Sequence, residues 1–248
     1  MFYEPGVTEH GLPHDPFKAC VIPRPIGWIS TRSPTGTANL APYSQFNNLT
    51  FDPPYVMFSA NQTATNTRKD TVVNAESTGH FAWNLATYPL REAVNISAEQ
   101  VPYGVDEFER ANLTKEYGSL IDVPMVKESP VKFECTYHST IRLPGHPPMG
   151  TVDVIIGRVV GVHIANWALN DDGILDVRKT EPIARCGYYQ YAVVRETFDM
   201  VIPGMSEDTL YGLEGSSRMN RERHLRDKEG EKKDDGEGGE GGHTASAS

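Results

Sequence analysis

Cysteine is scarce in this chain: Cys20, Cys135 and Cys186 are the only three in 248 residues, and no two form a CxxC pair. That excludes a disulfide framework and a four-ligand zinc pattern, and leaves reduced thiols as the plain expectation. Long apolar runs are missing too. No segment reaches the roughly eighteen apolar residues that a membrane span needs. The opening stretch MFYEPGVTEHGLPHDPF has no apolar run behind a basic start, so no secretory signal is expected and the cytoplasm is the default location. Positive charge is in short supply, with 23 Lys and Arg against 33 Asp and Glu and a net charge of −10. A nucleic-acid surface needs clustered cations, and the basic cluster from Arg218 to Arg226 is diluted by Glu222, Asp227 and Glu229. Several catalytic signatures are absent as well: no GxGxxG follows a strand, no GxSxG elbow occurs, and the histidines show no HExxH spacing. His10 and His14 stand four apart but are separated by Gly11 and Pro13, which argues against a helical metal pair.

What the chain does have is strand signal and punctuation. Ala19 to Ile29 is apolar but broken by Pro23 and Pro25, which suits an edge strand or bulge. Tyr55 to Ala60 and His80 to Leu85 read as short strands, while Val131 to Leu143 and Val152 to Ile164 are longer and rich in Val and Ile. Helices are expected from Asp70 to about Ser77 and from Pro89 through Ile96. Many strands with few short helices imply a closed or nearly closed barrel, a mainly β fold, rather than alternating βαβ units. One domain is expected over residues 1–215. Residues 216–248 form a charged, Gly-rich tail with too little apolar surface to offset the entropy of ordering. The tail is read as disordered from about Gly230, or else as carrying a solvated helix from Ser217 to Lys228.

Chemistry concentrates between Arg24 and Thr71, in PRPIGWIST, TGTANLAPYSQFNNLTFDPPYVMFSA and TRKDTVVN. Aromatic rings, short hydroxyls and amides crowd into one stretch that ends in a cation beside a helix start. That mixture suits a ligand with a flat ring, a polyol and a phosphate, because helix-start amides, hydroxyls and cations match phosphate oxygens. Read alone, Lys69, Asp70 and Thr71 are either a phosphate cradle or an ordinary helix cap. Ser30 and Thr31 either meet a ligand or end a strand, and Asn39 serves a ligand or a turn.

In residue order and spacing from about His14 to Pro203, the chain resembles the FMN-binding split-barrel flavoproteins of the flavin reductase-like family. The resemblance implies a six-stranded Greek-key split β-barrel that pairs into a homodimer and holds FMN near the subunit interface. It implies that Lys69 and Thr71 lie by the FMN phosphate, and that Ser30, Thr31, Asn39 and Ser44 meet the ribityl chain and flavin edge. Arg24, Ala41, Tyr43 and Ser59 belong to the same contact set, and Trp28 either packs against the ring or the dimer partner or sits in the core. The turn Leu143-Pro144-Gly145-His146 is similar to the family's Gly-Asp-His turn without its Asp, which makes His146 the candidate catalytic group or a plain loop residue. Pro182 to Tyr189 resembles the family's closing segment, with Arg185 and Tyr188 reaching the flavin site. NADH or NADPH is the implied electron donor, since split-barrel reductases hold nicotinamide without a Rossmann half. An oxygenase component or a small molecule is the implied acceptor. The alternatives are an FMN-binding protein without turnover and a biosynthetic flavoenzyme with a dedicated organic substrate.

Overall fold

The computed structural model describes residues 1–63 and 67–206. A compact unit spans Met1–Thr197, and a second begins at Phe198. The expected boundary at residue 215 and the whole tail lie outside the described residues.

The first unit is built on strands β1 (Arg24–Pro25), β2 (Gly27–Arg32), β3 (Ala38–Tyr43), β4 (Phe46–Phe51), β5 (Pro54–Asn61), β6 (His80–Asn84), β7 (Lys115–Tyr117), β8 (Pro124–Val126), β9 (Val131–Leu143), β10 (Val152–Ile164), β11 (Ile183–Arg185) and β12 (Tyr191–Val193). Its helices are α1 (Phe17–Cys20), α2 (Asp70–Thr78), α3 (Arg91–Ile96), α4 (Glu107–Arg110) and α5 (Val177–Thr180). The main sheet runs β3-β2-β6-β9-β10-β5-β4, and every pairing in it is antiparallel.

The two edge strands of that sheet are consecutive in the chain. β3 and β4 are separated only by Ser44 and Gln45, and the Ser59 amide donates to the Gln45 carbonyl at 2.9 Å, tying the bend to β5. Taken as one bent strand, β3 and β4 close the sheet into a six-stranded split barrel. Closure shortens the exposed edges that an open sheet would present to other chains, leaving the outer edge of β3 without a strand partner.

Alternation along the strands fills the interior. Val56, Phe58 and Ala60 of β5 point inward with Ile29, Phe81, Val131, Cys135, Ile155 and Val159, and α2 adds Val72 and Ala75 to the same cluster. Phe58 meets Tyr43 at 5.1 Å and Phe81 at 5.5 Å between ring centroids. A second cluster lies on the other face of β2 and β3, where Trp28 and Leu40 pack against Val94 of α3, Phe108 of α4, Val126 and Ile183. Each large side chain so buried contributes about 1.5–3 kcal/mol.

The segment Ala19 to Ile29 departs from the expected edge strand, being divided into α1, β1 and the start of β2. Arg24 is the cause: its Nη1 donates to the carbonyls of Lys18, of Val21 at 2.7 Å and of Cys186 at 3.1 Å, drawing the chain into a turn against β11. The strands expected at Val131 to Leu143 and Val152 to Ile164 occupy those spans, and α2 and α3 begin and end within a few residues of expectation. No helix among the described residues is long and apolar enough to cross a membrane.

Candidate functional site

A cleft of about 240 Å³ opens where β3, the β3–β4 bend and the end of β5 meet the start of α2 and the segment after α3. Asn39, Ala41, Tyr43, Ser44, Ser59, Lys69 and Thr71 all line it, so much of the expected contact set converges on one place. Asn61, Thr63, Asp70, Glu107 and Met149 are added by the fold.

The floor is a buried hydrogen-bonded network. Asn39 Oδ1 accepts from Thr71 Oγ1 at 2.8 Å and from Thr31 Oγ1 at 3.1 Å, while Asn39 Nδ2 donates to Glu107 Oε2 at 3.1 Å. Asn74 Nδ2 donates to Thr31 Oγ1 at 3.2 Å, and Tyr103 OH to Asn74 Oδ1 at 3.3 Å. A filled network of this kind fixes the rotamers of Asn39 and Thr71. β3 is a strand with one free edge, and the Leu40 amide on that edge is met by Glu107 Oε2 at 2.9 Å. Pro42 stands two residues on, on the same edge, where a strand tolerates a residue with no N–H to offer.

Two adjacent cations at the approach to α2 have separate fates. Arg68 is held by Glu76, through two bonds of 2.7 Å, and by Asp153 at 2.9 Å; those contacts raise its pKa, the Glu76 bonds most. Lys69 lines the cleft, and among the described residues no carboxylate pairs with it. Burial lowers its pKa, and the charge of Asp70 opposes that. The amides of the first turn of α2 stand beside it, where the helix dipole favours an anion. Burial raises the carboxyls of Asp70 and Glu107, with hydrogen bonds from the Gly104 amide to the first and the Leu40 amide to the second working the other way. Burial likewise pushes up the Tyr43 hydroxyl. The cleft therefore carries a cation that makes no ion pair among the described residues, and carboxylates whose charge is costly there.

Other expected contacts stand elsewhere in this chain. Trp28 is 0% exposed in the second core cluster, its Nε1 donating to Ser97 Oγ at 2.9 Å, and it does not line the cleft. Ser30 is on the same side of β2, accepting from Asn84 Nδ2 at 3.2 Å. Thr31 lies beneath the cleft and supports Asn39 instead of lining it. Arg24 straps α1 to β11. Arg185 ends β11 in the separate β1-β11-β12 sheet and Tyr188 lies in the β11–β12 turn; Arg185 Nη1 donates to Tyr191 OH at 2.8 Å. His146 is exposed on the β9–β10 loop and does not line the cleft, although Met149 of the same loop does. Gly145 folds that loop tightly, since a Cβ there would lie 1.8 Å from the Gly150 carbonyl oxygen. Sequence reasoning missed Glu107, which is distant in the chain and sits in a charged stretch, GVDEFER, with no motif of its own. Among the described residues no group of His, Cys, Asp or Glu is arranged to hold a metal.

The closed barrel with one polar cleft at the start of its packed helix defines a split-barrel protein. The chain belongs to the flavin reductase like domain family, whose model matches residues 19–181. An uncharacterized protein of Aquifex aeolicus (strain VF5) is 36% identical over 171 residues, covering 69% of this chain and 84% of that one. Nitrilotriacetate monooxygenase component B from Bacillus cereus superposes with a TM-score of 0.73 at 30% identity, over 81% of this chain and 98% of that chain. A split-barrel protein from Shewanella frigidimarina NCIMB 400 shares the fold with a TM-score of 0.65 at 22% identity, over 75% of this chain and 89% of that chain.

Proposed function

We propose that the cleft binds FMN and that the protein is a flavin oxidoreductase, reduced by NADH or NADPH and delivering electrons to an oxygenase component or a small-molecule acceptor. The observation that carries this reading is Lys69: a half-buried cation that makes no ion pair among the described residues, at a helix start, in a cleft lined mainly by hydroxyls and amides. A phosphate is the group that such a donor set suits. Family membership and the likeness to a monooxygenase component support the flavin and the oxygenase partner.

When bound, FMN supplies the redox chemistry, taking electrons from the nicotinamide and releasing them to the acceptor. The chain supplies position and charge. Lys69 and the first amides of α2 would hold the phosphate, Ser44, Ser59 and Asn39 would meet the polyol, and the Ala41 to Tyr43 stretch of β3 would lie along the ring. The network beneath Asn39 keeps that side chain in one orientation without reorganisation on binding. His146 is the candidate for stabilising negative charge near the ring, brought in by the loop that already sends Met149 to the cleft.

A homodimer is part of the proposal. Val160, Val162, Ile164 and Trp167 are exposed in and just after the end of β10, and Arg185 and the exposed Tyr188 lie outside their own subunit's cleft, so a part for them in the flavin site would be at a partner's. The experiment is extraction and titration of the purified protein with FMN, followed by anaerobic mixing with NADH and NADPH. One FMN per chain and bleaching of the flavin band by either nucleotide are the expected results. Absence of flavin binding overturns the cofactor. Binding without bleaching replaces the reductase by a binding protein or an enzyme with its own organic substrate. If His146→Ala bleaches as fast as wild type at unchanged FMN affinity, His146 has no catalytic part.

A further inference from the structure

Glu107 enters the function as proposed so far only as a support for Asn39, yet it is a buried charged group at the cleft. It begins α4, is 4% exposed, and lines the cavity. Its carboxylate accepts from its own backbone amide as well, and the bonds from the Leu40 amide (2.9 Å) and Asn39 Nδ2 (3.1 Å) both fall on Oε2, so neither of these two occupies Oε1. No ion pair neutralises it among the described residues, and Lys69 on the same cleft does not reach it. A buried carboxylate without a cation is costly, and the fold keeps it against the cleft where an uncharged amide would satisfy Leu40 equally well. What an ionised carboxylate adds is a strong acceptor, and it has no proton to offer in return.

We propose that Glu107 is a ligand-reading residue: its carboxylate accepts a hydrogen bond from an O–H or N–H of the molecule bound in the cleft. The inference rests on the FMN reading and deepens it, since FMN carries both kinds of donor, the ribityl hydroxyls and the imide N–H of the ring. The site would then read its ligand by two unlike groups, an anion at Lys69 and a neutral donor at Glu107. Molecules that present only acceptors to Glu107 would be rejected.

Glu107→Gln makes a clean probe. The new amide oxygen can keep the bonds from Leu40 and Asn39, while its NH₂ turns the second position from acceptor to donor. The probes are FMN, riboflavin and lumiflavin, titrated against wild type and variant, with the melting temperature of the flavin-free proteins as a check on folding. A hydrogen bond to a charged acceptor corresponds to a loss of roughly ten- to a hundredfold in affinity. If the ribityl hydroxyls are read, FMN and riboflavin weaken by that factor and lumiflavin does not; if the imide is read, all three weaken. Unchanged affinity for all three in a folded variant overturns the inference and leaves the FMN reading standing. Failure of wild type to bind FMN at all instead removes the reading on which the inference rests. Should the variant not fold, an Asp70→Asn protein carries the test. In it Lys69, Glu99 and Tyr43 are the other titratable side chains that line the cleft. Adding Glu99→Gln leaves Glu107 to titrate, and riboflavin, which has no phosphate to protonate, should bind more weakly as pH falls and the carboxylate gains its proton. A flat profile is the overturning result.

Discussion

Lys69 and Thr71 stand two residues apart, were expected to act together, and are separated by their surroundings. Lys69 reaches the cleft with no ion pair among the described residues, whereas the Thr71 hydroxyl is committed to Asn39 Oδ1 at 2.8 Å. Lys69→Ala should therefore weaken FMN by about 1.5–3 kcal/mol and leave riboflavin unaffected, because only the phosphate is lost from the contact. Thr71→Ala should weaken both ligands alike and cost about 1 kcal/mol of stability, because it removes a buried network bond. Isothermal titration with the two flavins separates the cases, and equal losses for Lys69→Ala would refute the phosphate assignment. The residue types of the cleft were legible in the sequence because Asn, Ser, Lys and Thr cluster around turns and a helix start. Their facing was not: Trp28 and Ser30 alternate with Ile29 and Thr31 on one strand, and only the packing of α3 and α2 decides which side meets what.

At the scale of elements, β9 and β10 were readable end to end because their Val and Ile runs are long. The bulges that shape them were not. The β9–β10 register shifts between Ile156 and Gly157, and at Gly157 a Cβ would lie 2.2 Å from Phe81 Cε1 and 3.2 Å from the Thr136 carbonyl oxygen. Phe81 is fully buried and enclosed by the barrel, so it cannot swing away into solvent. Gly157→Ala should destabilise the protein by about 1–3 kcal/mol through overpacking, read as a lower urea midpoint at unchanged slope. An unchanged midpoint would mean that Phe81 has room the packing does not show. The split of Ala19 to Ile29 was invisible for a related reason: the sequence shows two prolines, but the turn is made by Arg24 reaching carbonyls before it and across to β11. Closure of β3 onto β4 depends likewise on the Gln45–Ser59 bond, a contact between residues whose types announce nothing.

Across the whole molecule, carboxylates of two kinds set the response to acid. Hydrogen bonds and ion pairs hold Glu76, Glu134 and Asp153 below the ordinary carboxylate range: Arg68 acts most on Glu76, while burial works against the shift in Glu134 and Asp153 and is outweighed by His163 with backbone amides and by Arg142 with Arg68. Folded values below the unfolded ones mean that their stabilisation is present above the ordinary carboxylate pKa and is lost as pH falls through the depressed values. Asp70 and Glu107 are raised by burial, so their ionisation opposes folding near neutral pH and protonation on mild acidification relieves it. The flavin-free protein should thus hold or gain stability from neutral to mildly acidic pH and lose it steeply below the ordinary carboxylate range. Urea midpoints across that range test this, and a steady decline starting at neutral pH would contradict it.

Assembly is the remaining property at this scale. Every described residue lining the cleft lies between Asn39 and Met149, so deleting 230–248 should leave flavin content unchanged, and loss of flavin would give the C-terminal segment a role in the site. The proposed dimer is different, because it would cover the exposed apolar side chains at the end of β10. Burying Val162, 56% exposed in the single chain, would add to the dimer about 25 cal/mol for each Å² removed from water, whereas a glutamate there would place a charge in the interface. Val162→Glu should give a folded monomer by light scattering. If the partner's Arg185 and Tyr188 contribute to the flavin site, that monomer should also hold FMN more weakly, and FMN should raise the melting temperature of the wild-type dimer by binding the assembled state. A Val162→Glu protein that stays dimeric would place the interface elsewhere. A monomer with undiminished FMN affinity would show that each subunit completes its own site.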